Sequence, residues 1–139
     1  MTRVLAIAAL AFVLLAPHAA AQGKPAGHGE PVWDGRPLSS WIKDLTELAP
    51  IIRSNAAFAI TEIALDNSGA AAGPAIPALI EALKDPYAPV RYRVAYALGA
   101  IGPAASAAIP ALTETLDDRN DDVAFIAKKS LKKIAAAGE

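Results

Sequence analysis

The stretch that decides the fold is residues 73–102, GPAIPALIEALKDPYAPVRYRVAYALGAIG. Its first half places Ile76, Leu79, Ile80 and Leu83 at the i, i+3, i+4, i+7 spacing of one helical face. Its second half has a similar apolar stripe at positions 90, 94, 97, 98 and 101. The DPYAP segment between them favours a turn, because proline interrupts a helix but fits the first turn of the next one. The stretch therefore predicts a helix–turn–helix unit.

This unit occurs three times. Ile-Pro-Ala-Leu at 76–79 recurs at 109–112, a shift of 33 residues, and a copy 38 residues upstream aligns Trp41 with Leu79. One helix pair cannot bury its own apolar face, whereas three stacked pairs build a continuous core. We therefore predict an all-α solenoid of three repeats, at about 37–65, 74–102 and 106–137. The six predicted helices span 37–48, 51–65, 74–84, 89–101, 106–116 and 121–137.

Composition agrees with helices and limits the chemistry. The 139 residues are 54% hydrophobic but 6% aromatic, and the apolar residues are mainly Ala, Leu and Ile, which favour helices. The sequence has no cysteine, which excludes disulfides and thiolate sites. A net charge of −1 argues against nucleic acid as the partner.

The first 21 residues have the form of a cleavable signal peptide. Arg3 precedes an uncharged run at 4–16, which is shorter than the roughly 20 residues that span a membrane. Ala19-Ala20-Ala21 is a small-x-small cleavage site, so we expect cleavage between Ala21 and Gln22. The expected product is exported to the periplasm or beyond, with no transmembrane segment in the mature chain. An uncleaved anchor or a buried helix is the alternative.

The segment after the signal peptide lacks helical periodicity. Residues 22–35 are rich in Gly, Pro and polar residues, so we expect a flexible lead-in before a repeat domain at 36–139. We expect Trp33 to pack over the open end of the first helix pair, and Trp41 to lie in the core.

The three units resemble HEAT repeats of the short bacterial, phycobilisome-lyase-like type. The resemblance is carried by residues 73–102, by AAIPALTETLDDRNDDVAFIAKKSLKKIA at 107–135 and by PLSSWIKDLTELAPIIRSNAAFAITEIA at 37–64. The lead-in Trp33-Asp34-Gly35-Arg36, followed by Trp41, is similar to the start of many secreted bacterial HEAT-repeat proteins. The resemblance implies a scaffold that binds proteins or peptides on the surface lined by the second helix of each pair.

The same resemblance implies a ladder of polar bonds along the turns. HEAT repeats often join an acid in the inter-helix turn to an arginine six residues later, within and between repeats. Here the corresponding pairs are Asp85 with Arg91 and Glu47 with Arg53. The third repeat keeps Asp118 but has Ala124 at the arginine position, so the ladder is expected to stop there.

A candidate partner-binding face follows from helical geometry. At about 100° per residue, the apolar stripe of the helix at 89–101 centres near Val94, which points Tyr92 and Tyr96 away from the core. The repeat register places Phe125 at the position of Tyr92, and both Phe58 and Lys129 at the position of Tyr96. Exposed aromatic residues that recur in register favour an interface. The alternative is that the curvature of the solenoid buries these rings against neighbouring helices.

Enzymatic interpretations find little support in the sequence. His18 lies in the signal peptide and His28 in the lead-in, so the repeat domain has no histidine for acid–base or metal chemistry. We expect no catalytic residue, no metal and no cofactor. The predicted function is an exported, non-catalytic module that binds a protein or peptide. The alternatives are a phycobilin-lyase-like or other enzymatic or enzyme-supporting HEAT-repeat protein, and a structural or envelope-associated protein.

Overall fold

The structure is a computed structural model that describes residues 29–136. The expected signal peptide at 1–21, its cleavage position, and residues 22–28 of the expected lead-in lie outside the described residues. The last three residues, 137–139, lie outside them as well.

The described part of the chain forms a short strand pair followed by helices. Within residues 29–136 there are two strands and six α-helices: β1 Val32–Trp33, β2 Arg36–Pro37, α1 Leu38–Asp44, α2 Pro50–Asp66, α3 Ile76–Ala82, α4 Ala88–Ile101, α5 Ile109–Thr115 and α6 Asp121–Ala135. Two 3₁₀ segments, Ala70–Ala75 and Gly102–Ala108, connect one pair to the next.

The helices pack as three stacked pairs. The first helices α1, α3 and α5 each lie on the second helix of their own pair, and α4 packs between α2 and α6. The positions that the repeat register makes equivalent are buried together, as for Ile63, Ile101 and Ile134. The predicted all-α solenoid is therefore confirmed, with its core between the layer of first helices and the layer of second helices.

The first helix of each pair is shorter than predicted. α1, α3 and α5 have seven residues each, because 3₁₀ segments occupy the chain before α3 and α5. α1 ends at Asp44, and the next amides, starting with that of Leu45, bond three residues back instead of four. Leu45 and Leu83 remain buried just beyond their helices. The apolar pattern thus continues past the last helical residue, so the pattern could not predict where these helices end.

The prediction of a flexible lead-in is wrong for residues 29–35, the part of it that the structure describes. β1 and β2 pair antiparallel, with Val32 opposite Pro37 and Trp33 opposite Arg36. The Glu30 carboxylate accepts hydrogen bonds from the backbone amide and the hydroxyl of Ser39, the latter at 2.9 Å. Strands of two residues are too short to show an alternating pattern, so no pattern in the sequence predicts them.

Neighbouring second helices approach very closely at one point. A Cβ on Gly99 of α4 would lie 2.4 Å from the Ser130 Oγ of α6, so no other residue fits there without movement. The Ser130 hydroxyl donates a 2.7 Å hydrogen bond to the Ala95 carbonyl. This hydrogen bond joins the second repeat to the third where the backbones of α4 and α6 lie close together.

α6 has the character of a terminal helix. It buries five of its 15 residues, whereas α4, which has a neighbour on both sides, buries eight of 14. Its first turn is capped by Asn120, whose side chain accepts from the amides of Asp122 and Val123 at 3.1 Å each. The exposed surface of α6 carries Lys128, Lys129, Lys132 and Lys133. A polar end surface of this kind keeps a solenoid from stacking further.

One run of the described chain is apolar and long enough to cross a membrane by length and composition. Ala88–Thr115 covers 28 residues, and half of its most apolar window is buried inside the fold. The run is α4, the 3₁₀ segment Gly102–Ala108 and α5, so the chain turns within it. Its apolar content is explained by the repeat core.

Candidate functional site

The exposed sides of α2, α4 and α6 form one continuous surface, which we call the second-helix face. Its residues fall in rows that follow the repeat register. One row contains Tyr92 and Phe125, the next contains Phe58, Tyr96 and Lys129, and a third contains Glu62 and Lys133. Residues three or four apart on a helix share a face, so successive rows follow one another at four-residue steps along each helix.

The four predicted rings lie on this face and line a single groove. The exposed fractions are 40% for Phe58, 38% for Tyr92, 40% for Tyr96 and 60% for Phe125. The groove has a volume of about 830 Å³ and is open to solvent. The rings are therefore neither buried by curvature, as the alternative expectation had it, nor fully free.

The groove also contains residues that the sequence interpretation missed. Leu65 and Pro89 extend its apolar surface, and Glu62, Arg93 and Asp122 line it with charge. Glu62 lies four residues after Phe58 and Asp122 three residues before Phe125. The i, i+3 and i, i+4 spacing from the rings was the signal that could have found both carboxylates.

Basic side chains lie over three of the four rings. The guanidinium carbon of Arg93 is 5.3 Å from the ring centre of Phe58, and Lys133 Nζ is 5.6 Å from that of Tyr96. Lys129 Nζ is 5.4 Å from the ring centre of Phe125. These distances are within the range of cation–π attraction. Lys129, predicted as part of the face, thus borders the groove through its contact with Phe125.

A tryptophan packs against Phe58, the first-repeat ring of the groove. Trp33 packs edge-on against Phe58 and Trp41, with ring centres 5.7 Å and 5.6 Å apart. Arg36, on the same strand pair as Trp33, places its guanidinium 3.8 Å from the ring centre of Trp41. Trp41 is buried, and Trp33 covers the end of the first pair, as the sequence indicated.

The ladder along the turns is present, but its pairing differs from the expected one. Arg53 binds Asp85 of the next repeat through two hydrogen bonds, 2.5 Å and 3.0 Å, and Arg91 binds Asp118 in the same way at 2.7 Å and 2.8 Å. Glu47 contributes its backbone carbonyl, 2.7 Å from Arg53, and its carboxylate is exposed.

The within-repeat pairs Glu47–Arg53 and Asp85–Arg91 are therefore corrected to between-repeat pairs. Arg91 touches its own turn through the Asp85 carbonyl at 2.8 Å. The stacking of the turns places each arginine fork opposite the carboxylate of the following repeat, where a bidentate pair can form. Asp118 is therefore the last acid of the ladder, which ends in the third repeat, where Ala124 stands at the arginine position.

The ladder charges are buried and strongly paired. Burial by itself would raise the pKa of Asp85, but hydrogen bonds from Arg53 and the Tyr87 amide outweigh it and hold that pKa below its usual value. The hydrogen bonds from Arg91 lower the pKa of Asp118 against the opposing effect of burial. The pKa values of Arg53 and Arg91 are raised, chiefly by their hydrogen bonds to Asp85 and Asp118. The ladder is a structural element between repeats.

Within residues 29–136, no group of three or more His, Asp or Glu side chains is placed to hold a metal ion. In the same range, every buried side-chain nitrogen and oxygen has a hydrogen-bond partner.

Comparison with known families gives a match over most of the chain. The family model for HEAT repeats matches residues 38–132, which covers α1 to the last turn of α6. No curated protein matches the sequence. The match covers more than half of the chain and coincides with the three stacked helix pairs, and the chain therefore belongs to the HEAT-repeat family.

Proposed function

We propose that this chain is an exported, non-catalytic scaffold of the short bacterial HEAT-repeat type, and that its groove binds a protein or peptide segment. HEAT repeats typically act as protein-interaction scaffolds, which is the coarse function that family membership supports. The observation that carries the proposal is the groove, because four half-exposed rings from three different repeats line it together.

The chemistry of the groove suits a polypeptide ligand. Large aromatic side chains left partly exposed in one continuous patch are typical of interaction surfaces. Tyr92, Tyr96 and Phe125 belong to the residue types that dominate protein interfaces, and charged residues surround them as a polar rim. The groove is open, so a segment can lie across all three second helices.

The proposal of a non-catalytic role rests on residue types. Both histidines of the sequence precede residue 29, and the chain has no cysteine. The charged pairs with perturbed pKa values, such as Arg91 and Asp118, form the ladder and do not line the groove. Export is supported by the signal-like segment at 1–21.

The binding proposal is tested by placing a photo-crosslinking amino acid at position 92. In the native cell envelope, this variant should form a specific crosslinked product. The same amino acid at position 114, on exposed α5, should not form it. Combining the crosslinker at 92 with Phe125→Ala should abolish the product. A product that forms equally well from both positions would contradict the groove as the binding site.

A second measurement separates binding from folding. Tyr92→Ala with Phe125→Ala should abolish the pull-down of the partner that crosslinking identifies, while the melting temperature stays within a few degrees of the wild type, because Tyr92 is 38% exposed and Phe125 is 60% exposed. The matched control is Ile109→Ala with Leu116→Ala, since these residues are 38% exposed on the first-helix side and lie outside the groove. The control should retain binding.

Export is tested on the native protein. Mass spectrometry of the chain recovered from the cell envelope should give an N-terminus at Gln22. Recovery of the uncleaved chain from the cytoplasm would contradict this part of the proposal and leave the binding proposal untouched.

A further inference from the structure

The four lysines of α6 fall into two pairs with different surroundings. Lys129 and Lys133 are four residues apart on one side of the helix and lie over Phe125 and Tyr96, two rings of the groove. Lys128 and Lys132 are each one residue earlier and lie over no ring among residues 29–136. The second pair belongs to the solvated end surface, whereas the first pair borders the groove.

The groove-side lysines have no carboxylate partner in the described part of the chain. The ion pairs there are Arg36–Asp44, Arg53–Asp85, Lys84–Glu81 and Arg91–Asp118. The ammonium groups of Lys129 and Lys133 lie beside the groove, 5.4 Å and 5.6 Å from the ring centres of Phe125 and Tyr96, where an incoming anion can reach them.

The charges along the groove are unevenly distributed. Arg93 of α4 lies over Phe58 and is a third cation with no carboxylate partner among residues 29–136. Glu62 lies on α2, in the first repeat, at the register position of Lys133 in the third. The row that contains them is therefore acidic at its first-repeat end and basic at its third-repeat end, while Arg93 and Asp122 line the groove beside the row. Tyr92, between these ends, is a ring with no cation over it among the described residues.

We infer that the partner is an acidic, partly apolar peptide segment, whose carboxylates bind Lys129 and Lys133 while an apolar side chain packs on Tyr92. This inference rests on the proposed function and specifies its partner. Charge complementarity sets the direction of the segment, because carboxylates placed over the first repeat would meet Glu62. A peptide can space its charges to avoid Glu62 and Asp122, whereas the continuous phosphates of a nucleic acid would meet both carboxylates.

The test starts from random nine-residue peptides displayed on phage and selected on the purified protein. We expect the enriched sequences to carry at least two Asp or Glu residues beside an aromatic or large aliphatic residue. The most enriched sequence is then synthesised with a fluorescent label, and its affinity is measured by fluorescence anisotropy.

The variants form a matched set. Lys129→Ala with Lys133→Ala should weaken binding of that peptide about tenfold, as expected for the loss of two partly exposed ion pairs. Lys128→Ala with Lys132→Ala removes the same net charge from the same helix and should weaken it less than about twofold. Added salt should weaken binding to the wild type and to this control, and should have less effect on the groove-side variant.

The possible failures are distinguishable. Enriched peptides that are neutral or basic, but whose binding is lost in Tyr92→Ala with Phe125→Ala, would overturn the acidic partner and leave the groove as a binding site. Equal losses in the two lysine pairs would also overturn it. If no enriched peptide depends on Tyr92 and Phe125, the proposed function itself fails. Tighter binding of a single-stranded oligonucleotide than of the acidic peptide, dependent on Lys129 and Lys133, would replace the peptide by a nucleic acid.

Discussion

Cationic side chains bridge neighbouring repeats in two regions of this molecule, the ladder and the groove. The two regions differ in whether the positive charge stays available to a partner. In the ladder, the side chains of Arg91 and Asp118 are 7% and 10% exposed, and their charges pair with each other. In the groove, Lys133 of the third repeat lies over Tyr96 of the second, and both side chains are exposed. A ring attracts a cation but does not neutralise it.

The comparison separates a structural role from a binding role for the same residue types. Arg91 and Arg93 are two positions apart on α4, yet Arg91 is buried in a bidentate ion pair while Arg93 is exposed over Phe58. The ladder therefore fixes how the repeats stack, and the groove retains charge that a partner can use.

The largest effect is expected from breaking the ladder. Arg91→Ala leaves the Asp118 carboxylate buried without its partner, which should lower the free energy of unfolding by about 3–5 kcal/mol. Urea denaturation followed by circular dichroism measures it. Arg93→Ala on the same helix is the control and should cost less than about 1 kcal/mol. Similar losses for both arginines would contradict the distinction between ladder and groove.

Acid should weaken the ladder without any substitution. The folded-state pKa values of Asp85 and Asp118 lie below their ordinary values, so the stability that these groups contribute is present above the unfolded-state pKa of about 4 and is lost as the pH falls toward the folded-state pKa. Urea midpoints measured from pH 7 down to pH 3 should therefore fall. Asp85→Asn with Asp118→Asn should be less stable than the wild type at pH 7, and its urea midpoint should fall less steeply as the pH decreases. Parallel curves would show that other carboxylates cause the acid sensitivity.

An uncharged contact between the second and third repeats provides an intermediate case. Gly99→Ala places a methyl group 2.4 Å from the Ser130 Oγ and should cost about 1–3 kcal/mol, because α4 and α6 must move apart. Ser130→Gly alone loses the hydrogen bond to Ala95, but Gly99→Ala should cost less in that background than in the wild type, because the obstructing side chain is gone. If thermal denaturation gives the same cost in both backgrounds, the close approach is not the cause.

The smallest effect on stability is expected in the groove. Lys129→Ala with Lys133→Ala removes two exposed cation–π contacts and should change the free energy of unfolding by less than about 1 kcal/mol. A loss as large as that of Arg91→Ala would show that these lysines hold the third repeat in place. That result would show that the groove-side lysines have a structural role.

The sequence predicted the fold class and the aromatic residues of the groove because both depend on local periodicity. The stripes at 76–83 and 90–101 face the core, and the same period turns Tyr92 and Tyr96 away from it. The helix ends were predicted less well. Buried Leu45 and Leu83 continue the apolar pattern beyond the last helical residue, so periodicity and helix do not stop together.

What the sequence determined by itself is the repeat, its helix pairs and the placement of the rings on one face, since each follows from spacing within a single helix or at a constant shift. The tertiary structure decided the partners. It joined Arg53 to Asp85 and Arg91 to Asp118 across repeats, and it placed Lys133 over Tyr96 of the neighbouring repeat. The physical reason is that such pairs depend on the offset between stacked helices. That offset is set by packing contacts such as the one between Gly99 and Ser130, many residues apart in the chain.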